Sequence, residues 1–131
     1  MGATVLLVDP DGDVRDRIAE WLEEEGHEVI TCPGPGAPGY DCIGSRVGRC
    51  PLANAADVVV LDLWLASDTM LEGAPASGLL LSFYRSHGLP VVGIVPPWRS
   101  DLHHGDRRVR LVSRPAGRDD VTGALRAVLA A

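Results

Sequence analysis

Lysine is missing from this chain: all twelve of its positive residues are arginine. That absence excludes a Schiff-base lysine and the lysine of a phosphate-binding P-loop. A compositional bias toward arginine accounts for it without a functional cause. An excess of positive charge is missing too. The formal net charge is −6, and direct, nonspecific nucleic-acid binding needs a basic face. No apolar run approaches the length of a membrane span. No basic leader precedes the first apolar run, which follows Met1-Gly2-Ala3-Thr4 directly, so a cytoplasmic protein with no membrane association is expected. Cysteine is sparse. Its three copies, at 32, 42 and 50, are an odd count, which argues against a structural disulfide framework. Neither Gly-x-Ser-x-Gly nor Gly-x-Gly-x-x-Gly occurs, which leaves hydrolase and dehydrogenase readings without their motifs.

What is present suits one domain with one core: 131 residues, 46% of them hydrophobic. Residues 3–8 read as a first strand. Asp11 or Asp13 can cap the helix that follows, in which Val14, Ile18, Trp21 and Leu22 recur at helical spacing. Gly26 should stop it. His27–Thr31 reads as a second strand, Pro51–Ala56 as a brief helix, and 57–62 as a third strand followed by a loop over 63–74. Pro75–His87 reads as a helix with Pro75 in its first turn and Leu79, Leu80, Phe83 and Tyr84 on its apolar face. Val91–Val95 and Val109–Ser113 are the fourth and fifth strands, separated by a polar stretch with room for one helical turn. Asp119 and Asp120 open a last helix facing inward through Val121, Leu125, Val128 and Leu129.

Strands alternating with helices imply a parallel sheet covered on both faces. Five strands at this spacing predict an α/β, flavodoxin-like, doubly wound sheet of order 2-1-3-4-5. In that order strands one and three are neighbours. Their apolar runs, Val5-Leu6-Leu7-Val8 and Val58-Val59-Val60-Leu61, each end in an aspartate, Asp9 and Asp62. The carboxyl ends of parallel strands form the ligand crevice. Two acids there predict cation binding, phosphoryl chemistry, or both.

Leu7-Val8-Asp9, Val60-Leu61-Asp62, Leu89-Pro90-Val91-Val92 and Arg114-Pro115 occur in that order. With these motifs the chain resembles the receiver domain of bacterial response regulators over nearly its whole length. The resemblance implies a stand-alone, atypical receiver acting through a protein partner, such as a histidine kinase or a phosphotransfer protein. It implies that Asp62 accepts the phosphoryl group. It also implies that Mg²⁺ is held by Asp9, by Asp11 if its side chain swings in, and by the backbone carbonyl of Trp64. Arg114 stands where the family has a phosphoryl-binding lysine, and would neutralise charge. Pro10 stands where the family has its second acid, and Val95 where it has a hydroxyl residue. A competing arrangement is a fixed ion pair between Asp62 and Arg114 that mimics an occupied site.

The segment 32–51 replaces most of the family's second helix. It carries Cys32, Cys42 and Cys50 among repeated Gly and Pro. Three readings stay open. The thiolates could hold Zn²⁺ or an iron–sulfur cluster, with His27, Asp41, His103, His104 or an outside group as fourth ligand. Two of them could form a reversible disulfide, with Arg46 and Arg49 lowering a thiol pKa. Or all three are small packing residues. His103-His104 reads as a solvated loop, Trp64 and Trp98 as crevice-rim residues, and Glu23-Glu24-Glu25 as a solvated helix end at the unfavourable pole of the helix dipole. Besides phosphotransfer, two functions remain: a pseudo-receiver whose input is metal or redox chemistry at the cysteines, and a small-molecule enzyme at the crevice. A monomer or homodimer is expected.

Overall fold

The two apolar runs that end in aspartate are parallel neighbours, and every residue in both is fully buried. Their β-branched and leucine side chains supply burial on both faces of a sheet, which a strand open to water on one side would not need. Each such side chain contributes about 1.5–3 kcal/mol when removed from water. The computed structural model describes residues 2–33, 50–62, 70–71, 74–96 and 106–131. In chain order these form β1 (Thr4–Val8), α1 (Gly12–Glu24), β2 (Glu28–Cys32), α2 (Pro51–Ala55), β3 (Val58–Asp62), β4 (Met70–Leu71), β5 (Ala74–Pro75), α3 (Ala76–Ser86), β6 (Val91–Val95), β7 (Val109–Ser113) and α4 (Arg118–Ala130).

The five long strands make one parallel sheet in the order β2-β1-β3-β6-β7. Numbered by themselves, they have the expected order 2-1-3-4-5. Alternate residues of each strand point to opposite faces. One face packs Leu6, Val8, Cys32, Val59 and Leu61 under Ala53 of α2 and Leu81 and Tyr84 of α3. The other packs Val5, Leu7, Val58 and Val60 under Ile18 and Leu22 of α1 and Val121, Leu125 and Val128 of α4.

Local chemistry sets the helix ends. Asp11 is the N-cap of α1, and its carboxylate accepts from the N–H groups of Asp13 and Val14 at 3.0 and 3.2 Å. Gly26, at φ +90°, closes the helix: its N–H donates to Glu23 O, and the His27 N–H donates to Leu22 O. Gly88, at φ +78°, ends α3 in the same way, with Gly88 N–H on Arg85 O and Leu89 N–H on Tyr84 O. Both are Schellman closures, which need a left-handed residue.

Four expectations change. The stretch 63–74 is not loop throughout, since β4 lies in it and pairs antiparallel with β5, which begins at its last residue. Pro75 lies in β5, and α3 begins one residue later. Tyr84 is buried and Phe83 partly so, but Leu81, absent from the expected face of that helix, is buried too. Leu129 is 39% exposed, and Thr122 joins the buried face of α4 instead. The expectations for 34–49, 63–69 and 97–105 lie outside the described residues.

Candidate functional site

Strand register brings the two acids together. Val8 lies opposite Leu61, so the next residues, Asp9 and Asp62, stand abreast at the carboxyl rim. The Asp9 N–H donates to Cys32 O at 3.0 Å, which ties it to the end of β2 as well. One oxygen of its carboxylate, Oδ1, accepts from the Asp11 N–H at 2.9 Å, turning the chain across Pro10. Arg15, in the first turn of α1, donates through Nη1 to the Asp9 carbonyl at 2.8 Å. Sequence reading missed Arg15. The signal was its place one turn after Asp11, on a helix that starts beside the strand end.

Both acids are buried: Asp9 is 0% and Asp62 1% exposed. Arg114 leaves the end of β7, where its N–H donates to Val95 O at 2.8 Å and its peptide bond to Pro115 is cis. Its guanidinium pairs with Asp62 through Nη2 and Oδ2. The ion pair that the competing arrangement requires is therefore present. The other oxygen of Asp9, Oδ2, is buried with no hydrogen-bond partner. Burial, and then the charge of Asp62, push the Asp9 carboxyl up to about 7, while the Asp11 N–H and the Arg114 charge pull it partly back. A bond between the two carboxyls also favours the proton on Asp9. Such a bond exists only while one of them holds a proton, which reconciles it with the partnerless Oδ2 of the ionised form.

The remaining candidates are distributed as follows. The Asp11 carboxylate is engaged in capping α1 and is exposed to solvent, so it does not complete an acid pair with Asp9 here. Val95 is buried at the end of β6, opposite Ser113. Cys32 is buried at the end of β2, and Cys50 is half-buried just before α2, both against one apolar cluster. Cys42, Trp64, Asp41, His103, His104 and Trp98 lie outside the described residues. Among the described residues no three His, Cys, Asp or Glu side chains converge as a metal site. His27 stands at the opposite end of β2 from Cys32, and its Nδ1 accepts from the Ala3 N–H at 3.0 Å.

No family model and no curated protein matches the chain. Solved structures do. The chain is similar to NtrX from Brucella abortus at 27% identity with a TM-score of 0.66, covering 99% of this chain and 27% of that one. It thus spans about a quarter of that relative's length. A response-regulator receiver protein from Sinorhizobium medicae WSM419 is 19% identical with a TM-score of 0.69, covering 99% of this chain and 96% of that one. The receiver domain of the hybrid histidine kinase CckA is 18% identical with a TM-score of 0.61, covering 96% and 98% respectively. With its sheet order, its paired rim acids and its Arg-Pro turn after the last strand, the chain has the fold of a response-regulator receiver domain.

Proposed function

We propose that this receiver domain signals through protein contact, with Asp62 as its phosphoacceptor and a histidine kinase or phosphotransfer protein as its donor. The observation that carries the reading is the side-by-side burial of Asp9 and Asp62 at the rim. A hard divalent cation takes carboxylate and carbonyl oxygens and keeps several waters. The partnerless Oδ2 of Asp9 fits such an ion. Asp9 and Asp62 would hold Mg²⁺, with the Trp64 carbonyl as a third protein donor. The ion would neutralise the two carboxylates and the incoming phosphoryl oxygens.

The chain's own residues do the rest. A carboxylate oxygen of Asp62 attacks phosphorus; the bond to the donor nitrogen or oxygen breaks and its electron pair leaves with the donor. Arg114 releases Asp62 and pairs with the phosphoryl oxygens. Its planar fork does this less compactly than an ammonium, and Val95 offers no hydroxyl to help. Incubation with acetyl phosphate and Mg²⁺, read by intact mass, should add one phosphoryl group that is absent in Asp62→Asn. No adduct in either protein overturns the proposal.

A second reading is favoured by the Arg114–Asp62 ion pair and by Val95: the pair is permanent, and the domain is held in one signalling state. Under it the wild type takes no phosphoryl group, whereas the double variant Val95→Thr, Arg114→Lys does.

A further inference from the structure

Asp9 is held from three sides by the chain itself. Its N–H donates to Cys32 O at 3.0 Å, its Oδ1 accepts from the Asp11 N–H at 2.9 Å, and its carbonyl accepts from Arg15 Nη1 at 2.8 Å. The Arg15 N–H in turn donates to Asp11 O at 2.8 Å. Asp9, Asp11 and Arg15 thus form a closed circuit of three hydrogen bonds, which Arg15 joins through both its main chain and its side chain. The carboxylate oxygen Oδ2 of Asp9 stays outside the circuit, buried and without a hydrogen-bond partner.

This circuit offsets a shortage at the rim. Pro10 has neither a carboxylate nor an N–H, and the Asp11 carboxylate is engaged in capping α1. Among the described residues, β1 and the turn after it therefore bring a single available acid to the rim. A carboxylate free to rotate loses rotamer freedom when it binds an ion, and fixing it beforehand removes that loss. Arg15 is half-buried and lies back across the first turn of α1, with Nη2 3.6 Å from where a Cβ on Gly12 would stand. Its bond to the Asp9 carbonyl fixes the peptide plane that leads through Pro10 to the Asp11 N–H, and that N–H sets the carboxylate. The charges that bear on the Asp9 carboxyl are those of Asp62 and Arg114, so Arg15 works through the bond it makes and not through its field.

We propose that Arg15 is a positioning residue for a divalent cation at the rim: by clamping the Asp9 carbonyl it keeps Oδ2 turned toward the ion. The inference rests on the cation site of the proposed function and adds the residue that prepares that site. Groups that orient a ligand without touching the metal commonly govern affinity by roughly 10–100-fold.

The test uses the whole chain and Mn²⁺, a cation that takes the same oxygen ligands and whose free form is counted by its electron paramagnetic resonance signal. Arg15→Met and Arg15→Lys keep a helix propensity close to that of arginine. Arg15→Met, which has no donor, should bind Mn²⁺ about tenfold more weakly than the wild type. Arg15→Lys, which keeps a donor on a long stem, should recover most of that loss. Arg17→Met removes the same charge from an exposed position on the same helix and should bind as the wild type does. The gap between wild type and Arg15→Met should persist in high salt, where an effect of charge alone would be screened. The inference is overturned by wild-type affinity in Arg15→Met, by an equal loss in Arg17→Met, or by no recovery in Arg15→Lys. A gap that vanishes in high salt overturns it as well, and so does a wild type that binds no Mn²⁺. Acetyl phosphate labelling, run in parallel, separates the two readings: Arg15-dependent Mn²⁺ binding in a protein that takes no phosphoryl group supports Arg15 and removes phosphotransfer alone.

Discussion

Asp9 is an acid held where its charge is unwelcome. Its ordinary pKa is 3.8, and burial beside Asp62 raises it to about 7. The unfolded chain releases that proton at lower pH than the folded one. Between about pH 4 and 7 the folded state binds more protons, so stability falls as pH rises through this window and levels off above it. Asp9→Asn should remove most of that slope and raise Tm at pH 8, by on the order of 5 °C, as scanning calorimetry from pH 5 to 8 would show. Adding Mg²⁺ at pH 8 should raise the wild-type Tm and leave Asp9→Asn nearly unchanged if the ion binds where proposed. Arg114 works in the other direction. Its removal in Arg114→Ala leaves Asp62 buried without that counter-charge. The half-exposed position of the guanidinium tempers the loss to roughly 2–3 kcal/mol in urea unfolding, below that of a fully buried pair.

Most elements could be placed from residue pattern because each carries its own signal. The strands β1, β3 and β6 are continuous apolar runs, and α1 and α3 close on glycines that adopt positive φ. The rim acids were legible for the same reason, since register follows once the strand order is fixed. What escaped were contacts made across the chain. Glu23-Glu24-Glu25 looks misplaced against its own helix dipole, yet Glu24 meets Arg118 and Glu25 meets Arg126 of α4, about a hundred residues later. No local rule could supply those partners. Pattern also failed for Leu129, which shares a helix face with the buried Thr122 and Leu125 but lies in the last turn of α4, where it stays exposed. Two element-level outcomes follow. Asp11→Ala removes the cap of α1 and should cost about 1 kcal/mol in chemical denaturation. Glu24→Gln should cost no more than about 1 kcal/mol, as expected for an exposed pair, and that loss should shrink in high salt.

The molecule has two apolar layers that share one sheet and no side chains. Leu81 lies in the layer under α2 and α3, and Leu125 in the layer under α1 and α4. Truncating either to alanine should cost about 2–5 kcal/mol, the usual range for a buried leucine. Because the sheet separates them, they share no packing partner, and energies of such distant sites add within about 0.5 kcal/mol. The double variant Leu81→Ala, Leu125→Ala, measured by urea unfolding beside each single one, should therefore lose the sum. A coupling well above that margin would mean that the sheet itself shifts when one layer is loosened. Such a shift would reach the rim, since the strands that carry Asp9 and Asp62 contribute to both layers. Near-additivity would instead mean that the rim acids sit on a frame that either layer can loosen without moving them.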